Sequence, residues 1–104
     1  MAKSEVITTV DINGSKITVY VDEQSFYNKV KIELLKQNKS LTDFLQESFA
    51  EFVNNSGYRD IKTTPDDPDL KNKVKAIISL KGLTMKDVID EQMENLIDQK
   101  SSLT

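Results

Sequence analysis

The tetrapeptide Asn-Lys-Val-Lys occurs twice in this chain, at 28–31 and 72–75, inside a gapless repeat offset by 44 residues. The same shift carries Phe26 onto Leu70, Val30 onto Val74, Asp43 onto Asp87 and Glu47 onto Glu91. In both copies the apolar residues recur with a period near 3.6, the mark of amphipathic helices. Phe26, Val30 and Leu34 make a stripe over 25–37, with Tyr27 and Leu35 beside it. Leu41, Phe44, Leu45, Phe49, Phe52 and Val53 make a wider one over 41–54; Met85, Val88, Ile89, Met93, Leu96 and Ile97 repeat it. The longer helices also open alike. Ser40-Leu41-Thr42-Asp43 and Thr84-Met85-Lys86-Asp87 each put a hydroxyl at the N-cap and a carboxylate three residues on, the capping-box pattern. Gly57 is a natural helix stop, and Asp67-Pro68 reads as the cap and first residue of a third helix. Each half is therefore a short helix, a tight turn and a longer helix, over 24–55 and 68–99, with 56–67 as linker. Neither pair can bury its apolar face alone, so both are expected to pack into one domain spanning 1–104.

Upstream of the first pair the period changes to two. "EVITTVDINGSKITVYVDE", residues 5–23, alternates throughout and turns once, at Asn13-Gly14. Asn-Gly favours a type I′ turn, in which both central residues have positive φ. Pairing Ile12 with Ser15 then sets Val10 opposite Ile17, Thr8 opposite Val19 and Val6 opposite Val21 on one face. The other face carries Asp11 with Lys16, Thr9 with Thr18 and Ile7 with Tyr20. A hairpin over 5–21 is marginal alone, so the helices are expected to cover its apolar face. The repeat reaches into this region and decays there: Ile17 maps to Ile61 and Asp22 to Asp66, but Val19 and Val21 become Thr63 and Pro65. Proline cannot donate to a strand ladder. The second copy's strand is thus expected to be largely lost, which leaves the second ribbon strand to come from Val6–Ile12 or from Ile61–Thr64. The fold expected is mainly α with an N-terminal β-hairpin, ββαααα.

Composition narrows the chemistry. The chain has no cysteine and no histidine, which removes disulfides, thiolate chemistry, most zinc sites and every histidine-based catalytic arrangement. No nucleophile–base pair, metal set or phosphate loop can be assembled, so neither an enzyme nor a cofactor is expected. No apolar run approaches the length of a membrane span, and no signal-peptide core is legible; a cytoplasmic location with no membrane partner is the expectation. The net charge is −3. That argues against a nucleic-acid-coating surface but allows a local site, because binding follows the local field. Arg59 is the only arginine, and hence the only source of a bidentate arginine contact to guanine.

Strand, short helix, tight turn, longer hydroxyl-capped helix resembles the ribbon-helix-helix family of DNA-binding proteins. Residues 16–53, "KITVYVDEQSFYNKVKIELLKQNKSLTDFLQESFAEFV", resemble the whole motif, and residues 67–97 resemble its helical part. Members of the family are usually homodimers whose paired strands enter the major groove. Here both helix pairs lie in one chain and a hairpin supplies two strands, so the resemblance implies a tandem, single-chain pseudo-dimer, monomeric in isolation. It implies double-stranded DNA as partner and a transcriptional repressor as function. It also implies base-reading positions at Lys16, Thr18 and Tyr20, with Ile7, Thr9 and Asp11 from the substitute strand. Phosphates would sit at Ser40, Leu41 and Thr42 and at Thr84, Met85 and Lys86, where free N–H groups and the helix dipole favour an anion. Only Lys16 is basic on this ribbon, and Asp11 would face a polyanion, so specific binding would draw on two copies at adjacent sites.

Accessory roles in plasmid conjugation or partition use the same fold. The alternative of another class is a protein-interaction module, antitoxin-like or adaptor, in which Tyr20 and Ile7 meet a protein partner. The remaining features have plain readings. Lys16 and Asp11 are expected to form a cross-strand ion pair on a solvated face, and Asp43/Glu47 and Asp87/Glu91 are expected to be solvated helix carboxylates. Asp66, Asp67 and Asp69 lack the glycine and terminal glutamate of a calcium loop. "DQKSSLT", residues 98–104, reads as a frayed tail.

Overall fold

The computed structural model describes residues 5–102, with side chains through Asp98. Two strands, β1 (Val6–Ile12) and β2 (Ser15–Val21), precede four helices: α1 (Gln24–Lys36), α2 (Leu41–Asn54), α3 (Leu70–Lys81) and α4 (Met85–Ser102). The architecture is mainly helical, ββαααα. Among the described residues no helix is long and apolar enough to cross a membrane.

The strands pair antiparallel in the register that alternation requires, with Val10 opposite Ile17, Thr9 opposite Thr18 and Ile12 opposite Ser15. Asn13 (φ 55°) and Gly14 (φ 92°) turn the chain, both in the left-handed region that a type I′ turn demands. The inner face buries Val10, Ile12, Ile17, Val19 and Val21, each contributing about 1.5–3 kcal/mol before ordering costs.

The helix pairs keep the repeat in three dimensions. Val30 and Val74, Leu34 and Ile78, Leu45 and Ile89, and Phe49 and Met93 are all buried. Phe49 is the largest of the fully buried side chains, and Leu41, Phe52, Met85 and Ile97 pack half-buried at the edge. Both helix–helix turns close the same way. Asn38 (φ 57°) and Gly82 (φ 70°) take the left-handed position, and the next amides reach back, Lys39 N–H to Leu34 O at 2.9 Å and Leu83 N–H to Ile78 O at 3.0 Å. These are Schellman closures 44 residues apart.

Packing is crossed. α1 lies on α4 and α2 on α3, while β1 meets α2 and β2 meets α4. Exchanging β1 with β2, α1 with α3 and α2 with α4 maps this set of contacts onto itself, so the two halves are related by a pseudo-twofold. Residues 61–64 form no strand, and β1 occupies the place of the second half's own strand. The join is explicit at the turn. The Asn13 side-chain amide donates to Pro65 O and Asp67 O, both at 2.8 Å, and accepts from Gln46 Nε2 at 2.8 Å. The segment leading into α3 therefore begins where β1 ends.

Three local readings are corrected. α3 starts at Leu70 with Asp69 as its N-cap, not at Pro68 after an Asp67 cap, because the Asp67 carboxylate has other partners. It binds Lys73 Nζ at 2.5 Å, Thr63 Oγ1 at 2.8 Å and the Asp69 amide at 2.8 Å. Residues 98–102 continue α4 instead of ending the fold, while 103 and 104 lie outside the described residues. Leu35 stands beside no core: it is 78% exposed.

Candidate nucleic-acid interface

Strand alternation puts Ile7, Thr9, Asp11, Lys16, Thr18 and Tyr20 on the ribbon face away from the helices, and all six are exposed. Ile7 is 61% and Tyr20 47% exposed, although both are large and apolar in body. They stand directly across from each other, as do Thr9 and Thr18. The face thus offers two threonine hydroxyls, a phenol, an ammonium, a carboxylate and an apolar contact, three side chains from each strand.

Asp11 and Lys16 are cross-strand partners but form no ion pair among the described residues. The Asp11 carboxylate turns back and accepts the Gly14 amide at 2.8 Å, closing the turn as an Asx-type contact. Lys16 is left with its ammonium in solvent. Lys71, at the start of α3, donates to Lys16 O at 2.8 Å and adds a second cation at the turn end. Nothing in the linear sequence marks Lys71, because its bond to Lys16 O spans 55 residues of chain.

The helix starts take the ends of the ribbon. α2 reaches the turn end through the Gln46–Asn13 bond. α4 reaches the open end, where Lys86 Nζ binds Asp22 at 3.1 Å and Asp90 at 2.7 Å. Gln46 and Asp90 are repeat partners, so the pseudo-twofold sets the two helices against opposite ribbon ends. Both capping boxes are formed. Ser40 Oγ accepts the Asp43 amide at 3.0 Å and Asp43 accepts the Ser40 amide at 3.3 Å. Thr84 Oγ1 accepts the Asp87 amide at 3.1 Å, and Asp87 accepts the Thr84 amide at 3.0 Å. The first amides of each helix, at Leu41 and Thr42 and at Met85 and Lys86, have no acceptor in the helix itself. They are the donors an anion would meet, with the Asp43 or Asp87 carboxylate beside them.

Both ends of the ribbon carry both signs of charge: Lys16 and Lys71 stand at the turn end with Asp11 and the linker's Asp67, while Glu5, Asp22, Glu23, Asp90 and Glu94 gather at the open end with Lys86. A cleft of about 280 Å³ there is lined by Val21, Asp22, Glu23, Phe26, Asp90 and Glu94. Lys86 answers two of these carboxylates, and the hydrogen bonds it donates, first to Asp90 and then to Asp22, raise its pKa above the usual lysine value. In the linker, Asp66 accepts from Thr64 Oγ1 at 2.7 Å and Asp67 is engaged with Lys73. Among the described residues no three such side chains converge to hold a metal ion.

No protein-family model matches this chain, and no curated protein or solved structure is significantly similar to it.

Proposed function

We propose that this chain binds double-stranded DNA sequence-specifically through the outer face of its β1–β2 ribbon, resembling the ribbon-helix-helix proteins, and acts as a transcriptional repressor. One observation carries the reading: an exposed face of six side chains on a two-stranded ribbon, with a capped helix start at either end. A ribbon of this width fits the major groove. Lys16 would donate to guanine, Thr9 and Thr18 would take either a donor or an acceptor, and Ile7 would meet a thymine methyl. Lys16 and Lys71 would supply the cations at the turn end, and the free amides at 41, 42, 85 and 86 would hold phosphates on either side. An accessory DNA-binding role in plasmid conjugation or partition would use the same face.

A second reading, a protein-interaction module, is favoured by the open end. Asp22 and Asp90 balance the Lys86 charge there, and Asp43 and Asp87 complement the helix starts that a phosphate would use. Selection of genomic fragments by the purified chain, followed by sequencing, separates the two. Enrichment of one shared site at moderate salt supports DNA reading. Recovery of unselected sequence at every salt concentration contradicts it and leaves the interaction module.

A further inference from the structure

Away from the ribbon, α1 presents Ile32, 52% exposed, and Leu35, 78% exposed, on its outermost line, opposite the buried Val30 and Leu34. Helical spacing places Lys31 on one flank of this pair and Lys29 and Lys36 on the other. The only carboxylate in α1, Glu33, is buried and paired with Lys36 at 3.4 Å. The exposed surface of α1 is therefore an apolar ridge bordered by cations. The repeat partners Ala76 and Ser79 make no such ridge.

A receptor of opposite character lies elsewhere on the same chain. A cleft of about 290 Å³ between the second half of α2, α4 and the α3–α4 turn is lined by the apolar Phe52 and Leu83 and the amides Asn55, Gln92 and Asn95, with Glu51, Glu91 and, as its one cation, Lys81. Leu83 is 36% exposed. Next to this cleft, the outer line of α4 carries Asp87, Glu91, Glu94 and Asp98, all exposed. The repeat partners of Phe52 and Leu83 are the buried Leu96 and the polar Lys39, so this cleft too is unique to one half. Among the described residues no ridge residue lines it.

We propose that the Ile32–Leu35 ridge of one copy seats in the Phe52–Leu83 cleft of a second copy, with the flanking lysines facing Glu51 and Glu91. Ridge and cleft are different surfaces, so the contact is head-to-tail. Two apolar side chains and their charged borders fall below the roughly 1,200 Å² of a standard interface, which makes the association weak. The inference is independent of DNA binding, and its test uses none.

Sedimentation from about 10 μM to about 1 mM chain, at low and high salt, reads it directly. The wild type should self-associate towards the upper end at low salt and less at high salt. Leu35→Glu should weaken association about tenfold or more with thermal unfolding unchanged, since that side chain lies in solvent. Lys29→Glu/Lys31→Glu and Glu51→Lys/Glu91→Lys should each associate less alone, yet associate with one another when mixed. A wild type that stays monomeric throughout, an association indifferent to Leu35→Glu, or a mixture that stays monomeric would each overturn the proposal.

Discussion

Asn13 has three functions that are usually divided among several residues. Its backbone adopts a positive φ in the turn, its amide donates to two linker carbonyls, and its side-chain oxygen accepts from Gln46 in α2. Asn13→Gly keeps the backbone freedom and loses the three hydrogen bonds, so urea unfolding should show a loss of about 1–3 kcal/mol. Asn13→Ala should lose a further 1–2 kcal/mol, roughly the left-handed penalty of a β-carbon. Variants within about 0.5 kcal/mol of wild type would mean that the turn does not tie the linker to the hairpin. Asp67 makes the other end of that tie. Lys73 first, then the Asp69 amide and the Thr63 hydroxyl, hold its pKa down to about 2. An unfolded aspartate titrates near 3.9, roughly. The stabilisation is therefore complete above that value and is lost as pH falls from about 4 towards 2. Asp67→Asn should be less stable than wild type at neutral pH, with the difference closing across that acid window. A gap that persists unchanged to pH 2 would contradict the ion pair as its source.

At the scale of elements, the two longer helices should behave as copies. Phe49 and Met93 are repeat partners, and both are fully buried. Phe49→Ala should cost about 3–5 kcal/mol and Met93→Ala about 2–5 kcal/mol, since each empties the middle of an apolar stripe. Losses below about 1 kcal/mol at both, the size of ordinary substitutions, would mean these faces do not form the shared core. These faces were legible in the sequence because period and capping are local. The same is true of the hairpin register, which alternation and Asn-Gly determine pair by pair, and of all six outward ribbon positions. What was not legible depends on distant partners. Asp67 has the residue type and spacing of a helix cap, but Lys73 and Thr63 take its carboxylate. Lys71 joined the ribbon end only through the packing of α3, and the crossed pairing of α1 with α4 and α2 with α3 has no sequence signal. Leu35 has the apolar character of a core position but lies on the outer line of α1, so residue type alone misplaced it.

The whole molecule combines a repeat with a substitution: two equivalent helix pairs share one core, and β1 completes the ribbon that the second half lost. If that is how the core closes, unfolding at low micromolar chain should be cooperative and its midpoint independent of concentration. A midpoint that rises with concentration in this range would instead mean that the core is completed between chains. The function proposed for this assembly turns on its outer ribbon face, and the most direct measurement is binding of variants to the selected DNA site across salt. Thr18→Ala and Tyr20→Ala should weaken that site and leave non-specific binding nearly unchanged. Lys86→Ala leaves Asp22 and Asp90 uncompensated at the open end, so it should weaken all DNA about equally, without discriminating between sequences. Equal binding by wild type and all three variants, at low and moderate salt, would contradict the ribbon as the DNA-reading surface.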